Sequence, residues 1–266
     1  MSEELKEVYG KYLIPKEILQ LIQLEENLNK EDLSLDMIGF RPATELSPYS
    51  ITPPDLIPFA ETGGGGIHFG FLTDFQQIED LMRASIVCVS PTNDPPIRYL
   101  TNSFEEFINL VFSVPHAELI EQLSLYSTKE QEKVIVSEYM DELPSSWEMK
   151  QEKVFAKLKS IFPMAEKVDV ISNFSSAKQK RKNKIVIETY DGLGVIGKNG
   201  GERYRFLDSR ISDTEELLRM RRFIQDSSLE EKHAFIRDIQ YWYVVDPDYN
   251  YEIWSLVQEI IATFNE

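Results

Sequence analysis

The feature that most constrains this chain is the segment Ile57–Leu72, in which two apolar runs are joined by four consecutive glycines, Gly63, Gly64, Gly65 and Gly66. In the second run Ile67, Phe69 and Phe71 alternate with His68, Gly70 and Leu72. A period of two puts three bulky apolar side chains on one face of a sheet. Glycines between two strands imply a tight connection with positive φ at several positions.

The flanking sequence extends this unit. Lys16–Asn29 reads as a helix with Pro15 at or just before its start. A loop rich in proline follows (Pro42, Pro48, Pro53, Pro54, Pro58), then strand-like segments at Ile57–Thr62, Ile67–Leu72, Ile86–Ser90 and, shorter, Arg98–Thr101. Ser103-Phe-Glu-Glu106 is a capping box, in which the Ser oxygen accepts the N3 amide and the Glu reaches back to the cap amide. The helix it opens carries Phe104, Phe107, Ile108, Val111 and Phe112 at i, i+3, i+4, i+7 and i+8, a stripe that must be buried. Helix, sheet meander and covering helix make an α+β unit over residues 1–125.

Residues 126–266 read as mainly helical. Val154, Phe155, Leu158, Ile161 and Phe162 form one stripe, and Ile253, Trp254, Val257, Ile260, Ile261 and Phe264 another. The capping box Ser228-Leu-Glu-Glu231 opens a third helix. Between them Lys184–Tyr190 alternates as a strand, Gly192–Gly201 supplies turns, and Arg203–Leu207 suits a returning partner, a small β-hairpin.

Charge separates the two regions as well. Of 266 residues 28 are basic and 45 acidic, a net charge of −17, and residues 1–125 hold 7 basic against 20 acidic. Repulsion makes such a surface a poor binder of nucleic acid or anionic membrane and attracts a basic partner. The change near Leu125 is expected to mark a domain boundary, giving domains 1–125 and 126–266. With 42% hydrophobic and 27% charged residues the chain suits a folded protein rather than a disordered one. The start MSEELKEVYGKYL has neither a basic nor an apolar signal region, and no apolar run reaches the ~20 residues of a membrane helix. A cytoplasmic location is expected.

Several motifs suggest chemistry only until their context is read. Gly63–Gly66 with His68 is the best candidate for a nucleotide- or phosphate-binding enzyme, since bare amides approach an anion closely. A P-loop, however, needs Gly-Lys-Ser/Thr leading into a helix, whereas Ile67-His68-Phe69 leads into a strand. Gly192-Leu-Gly194-Val-Ile-Gly197 matches the dinucleotide fingerprint in letters, but Lys198-Asn-Gly-Gly201 follows it instead of a helix. His68, His116 and His233 have no helical i, i+4 partner for zinc, and His116-Ala-Glu118 lacks the cysteine half of a deaminase motif. The single cysteine, Cys88, reads as a small buried hydrophobe. Lys178–Lys184, five basic residues in seven without an aromatic, reads as an exposed loop, and Asn173-Phe-Ser175 as a sequon in letters only. Asp74, Glu79 and Asp80 could pair as carboxylates or hold a divalent ion, yet suit a solvated acidic face. Neither a cofactor nor a metal is expected.

Ile57-Pro-Phe-Ala60 through Gly63–Gly66, His68–Leu72, Ile86–Pro91 and the helix Phe104–Phe112 together resemble the SUKH superfamily over residues 1–125. That superfamily includes bacterial immunity proteins and a fungal cell-wall synthesis regulator. Its tryptophan-centred N-terminal signature has no counterpart here, since Trp147, Trp242 and Trp254 all lie in the second half. The resemblance implies a SUKH-like helix, antiparallel sheet and helix, and a protein without chemistry of its own that neutralises a toxin by direct contact. Many toxins are basic nucleases, and opposite charge speeds such an encounter. Asp74, Glu79, Asp80 and Asp94 are the expected interaction face. A regulatory or structural scaffold acting through residues 126–266 is the further alternative.

Overall fold

In the computed structural model, the two apolar runs around the glycines are neighbouring antiparallel strands, β2 and β3 below. Residues 3–45, 49–206, 214–243 and 251–262 are described. They divide into two compact units, Met1–Tyr49 with Asp55–Arg181 and Ser50–Pro54 with Lys182–Glu266. The first unit thus continues well past Leu125. The charge change there falls within one unit, because the helices that follow pack onto the same core as the sheet.

The first unit opens with α1 (Glu3–Tyr9) and α2 (Lys16–Asn29), the latter burying Ile18, Leu21, Leu24 and Leu28. Strands β1 (Arg41–Pro42), β2 (Leu56–Glu61), β3 (His68–Leu72), β4 (Ser85–Val89) and β5 (Ile97–Thr101) follow in chain order across one sheet. Every neighbouring pair is antiparallel, with Phe69 opposite Cys88 and Phe71 opposite Ile86. This is an α+β fold with a meander at its centre.

Helix α3 (Phe104–Val111) covers the sheet, and the core is aromatic where they meet. Phe59 lies 4.5 Å from Phe71 and 5.5 Å from Phe107 between ring centroids, and Phe69 lies 4.9 Å from Phe107. Burying each such ring contributes about 1.5–3 kcal/mol. Ser103 Oγ accepts the Glu106 amide at 3.2 Å, as the capping box predicts. The reciprocal bond differs: Glu106 Oε2 takes the amide of Asn102, one residue earlier, at 2.9 Å. The alternation in β3 does not separate core from solvent either, because His68, Gly70 and Leu72 are buried along with Phe69 and Phe71.

Four helices complete this unit: α4 (Glu118–Leu123), α5 (Lys129–Glu142), α6 (Ser145–Ile161) and α7 (Val170–Lys182). Val154 and Leu158 of the predicted stripe are buried, and Gln151 Nε2 donates to the Met37 carbonyl at 2.7 Å. Helix α5 buries no residue, so no apolar stripe announces it. The basic run Lys178–Lys184 is not an exposed loop. Most of it belongs to α7, and Arg181 is buried.

The second unit contains the hairpin β6 (Ile185–Ile187) and β7 (Val195–Ile196), then α8 (Thr214–Asp226), α9 (Leu229–Tyr243) and α10 (Tyr251–Ala262). The partner of β6 is therefore Val195–Ile196, not Arg203–Leu207. Residues 203–206 take another course because Tyr204 turns into an aromatic cluster, 5.3 Å from Phe223 and 5.5 Å from Phe235, while Leu207 lies outside the described residues. The box at Ser228 is fully reciprocal: its amide donates to Glu231 Oε2 at 2.7 Å, and its hydroxyl accepts the Glu231 amide at 3.3 Å. Ile253, Val257 and Ile260 of the last stripe are buried in α10, and Phe264 lies outside the described residues. Among the described residues no helix is long and apolar enough to cross a membrane.

Candidate interaction face

The turn between β2 and β3 is built by its glycines. Gly63, Gly65 and Gly66 have φ of +83°, +58° and +69°, the left-handed region that L side chains enter at a cost. The Thr62 amide donates to the Ile67 carbonyl at 3.0 Å, and the Ile67 amide to Gly64 at 3.1 Å, which closes the loop. A Cβ on Gly63 would meet the Asp36 carboxylate, and one on Gly66 the Tyr49 ring. A carboxylate therefore sits beside the amides that would have to cradle a phosphate, and its charge opposes one.

His68 begins β3 beside this turn. It is buried, its Nδ1 donates to the Gly66 carbonyl at 2.8 Å, and its ring stacks with Tyr49 at 6.0 Å. Burial lowers its pKa, although the Gly66 carbonyl and the Glu61 carboxylate pull the other way. The geometry is that of a histidine tying down a turn. Cys88 is fully buried in β4, and burial pushes its thiol up and away from the reactive thiolate.

The four expected face residues do not share a face. Asp74 is a correction: it is buried, and its two oxygens take a bidentate pair from Arg181 at 2.7 and 2.8 Å. Asp80 is exposed but caps the short helical turn Leu81–Arg83, accepting the Met82 amide at 3.0 Å with Arg83 3.6 Å away. Glu79 is exposed beside it. Asp94 is also exposed, but it follows β4, whose Val89 lies opposite His68, while Asp74 follows Leu72 at the other end of β3. Five strand residues at about 3.3 Å each separate the two ends by roughly 13 Å.

Each end has its own clamp. Near Asp94, buried Arg98 pairs with buried Glu121 of α4, and Asn93 Nδ2 donates to the same carboxylate at 3.0 Å. At the other end Arg181 holds Asp74 and lies 5.7 Å from the Tyr99 ring, whose hydroxyl burial pushes up to about 12. Phe75 donates its amide to Asp55 Oδ2 at 3.1 Å, and Asp74, Phe75 and Gln76 have φ of +48°, +53° and +69°. Three successive non-glycine residues there are a strained turn, sustained only because its surroundings over-determine it.

Arg181, Arg98, Glu121 and Asp55 escaped the reading of the sequence. Arg181 had one available signal: α7 places it with Val170, Phe174 and Ala177 on the buried side of the helix, at spacings of four, three and four. Exposed carboxylates at the Asp74 end are Glu79, Asp80 and Glu105, and neither Glu79 nor Glu105 has an ion pair among the described residues. Among the described residues no group of three or more His, Cys, Asp or Glu could hold a metal ion. No protein-family model and no curated protein matches the chain.

Proposed function

We propose that the protein is a binding module that engages a basic protein partner through the acidic end of its first-unit sheet, as its resemblance to the SUKH immunity proteins suggests. The observation that carries this reading is the charge of the α+β part. Residues 1–125 hold 20 acidic against 7 basic side chains, and Glu79 and Glu105 stand exposed and outside ion pairs among the described residues. Carboxylates of this kind speed the approach of a cationic surface and select against anionic ones. A basic toxin neutralised by direct contact is the partner this chemistry fits best, and a cytoplasmic setting accords with it.

The turn at Asp74–Gln76, held by Arg181 and Asp55 ahead of Glu79, supports this reading, because a loop ordered before binding loses less entropy than a mobile one. The test is capture of basic proteins from source-cell lysate, run side by side with wild type and two charge-reversed chains. Glu79→Lys with Asp80→Lys and Glu105→Lys should abolish retention of a partner that leaves wild type at moderate salt. Asp94→Lys, at the opposite end of the sheet, should retain it. Equal retention by all three chains would sink this face, and retention lost only with Asp94→Lys would move the site to the other end.

A further inference from the structure

The segment after β7 holds the chain's one Asn-Gly pair, Asn199-Gly200, and a second glycine, Gly201, comes next. All three residues are exposed. The first turn of α9 holds their neighbours: the amides of Lys198 and Asn199 donate to Glu230 Oε1 at 3.2 and 3.4 Å, and the Glu202 amide donates to Glu231 Oε1 at 2.8 Å. Two groups are left out of this arrangement. Among the described residues neither the Asn199 side chain nor the Gly200 amide makes a hydrogen bond. They are the two partners of a ring closure, because a main-chain nitrogen can attack the side-chain amide carbon of the residue before it. This chemistry makes asparagine thermolabile, and glycine leaves the approach clear because it has no Cβ.

The same hairpin contains a related pair, Asp191-Gly192, and there the structure blocks the reaction. The Gly192 amide, the nitrogen that would attack, donates to the Thr189 carbonyl at 3.1 Å. Asp191 is buried; its Oδ1 accepts the Thr189 hydroxyl and the Leu193 amide, and its Oδ2 accepts from Arg237 at 3.3 Å. In the first unit Asn93 and Asn102, which precede Asp94 and Ser103, are tied down as well. Their side-chain amides donate to Glu121 Oε1 and Glu106 Oε2, each at 3.0 Å. Hydrogen bonding thus withholds these three sites and leaves Asn199 available.

We infer that Asn199-Gly200 is a self-modifying site, at which the chain converts its own asparagine into an aspartyl or isoaspartyl linkage with water as the sole co-reactant. The Gly200 amide gives its proton to solvent and its nitrogen attacks Asn199 Cγ. The N–Cγ bond forms, the Cγ–Nδ2 bond breaks, and Nδ2 leaves as ammonia after taking up a proton. Water then opens the cyclic imide, and nothing is oxidised or reduced. Attack of water at Cγ gives an aspartate, whereas attack at the main-chain carbonyl carbon of residue 199 leaves the chain running through Cβ and Cγ, one methylene longer. Either product brings a new carboxylate to a place that already holds two. A Cβ on Gly197 would meet Glu230 and one on Gly201 would meet Glu231, so residue 199 lies between two positions in touch with those side chains. Like charges repel, and the hold of α9 on the turn weakens. This site belongs to the second unit alone and stands apart from the proposal for the first.

The test is peptide mapping by mass spectrometry of the full chain, aged in neutral buffer with and without guanidinium. In the folded chain Asn199 should convert at least tenfold faster than Asn93 or Asn102, and Asp191 should isomerise only once the chain is unfolded. Gly200→Ala should slow conversion at Asn199 at least tenfold. Its Cβ would make only an ordinary 3.5 Å contact with the Val186 carbonyl, so the fold tolerates it. Asn199→Asp carries the new charge from the start. Amide exchange at Lys198 and Glu202, corrected for intrinsic rates, should be roughly two- to fivefold faster in that variant, the scale of an exposed charge contact. The inference is overturned if the folded chain converts Asn199 at least tenfold more slowly than the unfolded chain, if Gly200→Ala converts at the wild-type rate, or if Asn199→Asp leaves exchange unchanged.

Discussion

Arg181, near the C-terminal end of α7, grips Asp74 through both guanidinium nitrogens at 2.7 and 2.8 Å, and both side chains are only 4% exposed. The pair joins residues 107 positions apart and fixes the strained turn that follows β3. Such a pair adds little net stability when intact, since both charges were taken from water, but it is costly to break.

Arg181→Met should therefore destabilise the first unit by about 3–5 kcal/mol, because the Asp74 carboxylate stays buried without its cation. The double variant Asp74→Leu with Arg181→Met should recover much of that loss. Urea denaturation of the three chains checks both points. A loss under about 0.5 kcal/mol in Arg181→Met, the scale of an ordinary surface change, would show that the pair is not buried in solution.

The glycine turn gives a position-specific prediction. Gly66→Ala forces a left-handed alanine and pushes against Tyr49, a cost of about 1–2 kcal/mol from the backbone alone. At Gly64 φ is not positive and a Cβ would meet nothing within 4 Å, so Gly64→Ala should stay within about 0.5 kcal/mol of wild type. Denaturation midpoints decide it. Equal losses at the two sites would mean that the turn has another conformation.

Local signals were legible in the sequence, and distant ones were not. The helix at Lys16–Asn29 and the caps at Ser103 and Ser228 depend on neighbours within four residues, so spacing revealed them. Asp74 misled because Asp74, Glu79 and Asp80 look like one solvated run, and nothing nearby announces a cation arriving from α7. The β-hairpin was found with the wrong second strand for a related reason. Arg203–Phe206 alternates well enough, but Glu230 and Glu231 of α9 take the amides of Lys198, Asn199 and Glu202 just before it, and Tyr204 turns into the aromatic cluster with Phe223 and Phe235.

Acid should weaken the first unit through His68 and His116. Burial lowers both below the ordinary 6.5, so near that pH the unfolded chain takes up protons that the folded chain refuses. Stability is then lost as pH falls through 6.5 towards the lower folded values. His68→Gln keeps a donor for the Gly66 carbonyl and should flatten part of this slope. Urea midpoints between pH 7.5 and pH 5, as chosen test points about one unit either side of the ordinary value, provide the check; an unchanged slope would show that His68 charges freely in the folded chain.

The second unit should respond to pH in the opposite sense. Burial, with Asp191 adding to it, pushes Asp238 from 3.8 up to about 6, even though Arg203 and the Tyr190 amide favour its charged form. A carboxyl raised on folding holds its proton more tightly in the folded state. Its stabilisation is fully present below 3.8 and is lost as pH rises through about 6. Asp238→Asn retains an acceptor for the Tyr190 amide, 2.6 Å away in the wild type, and removes the titration. Hydrogen exchange of α9 amides, corrected for the intrinsic pH dependence, should show wild-type protection falling relative to that of the variant as pH rises through about 6. Because the histidine effect of the first unit runs the other way, peptides from the two units in one experiment must diverge with pH. Parallel curves would mean that Asp238 is ionised in the folded chain across this whole range.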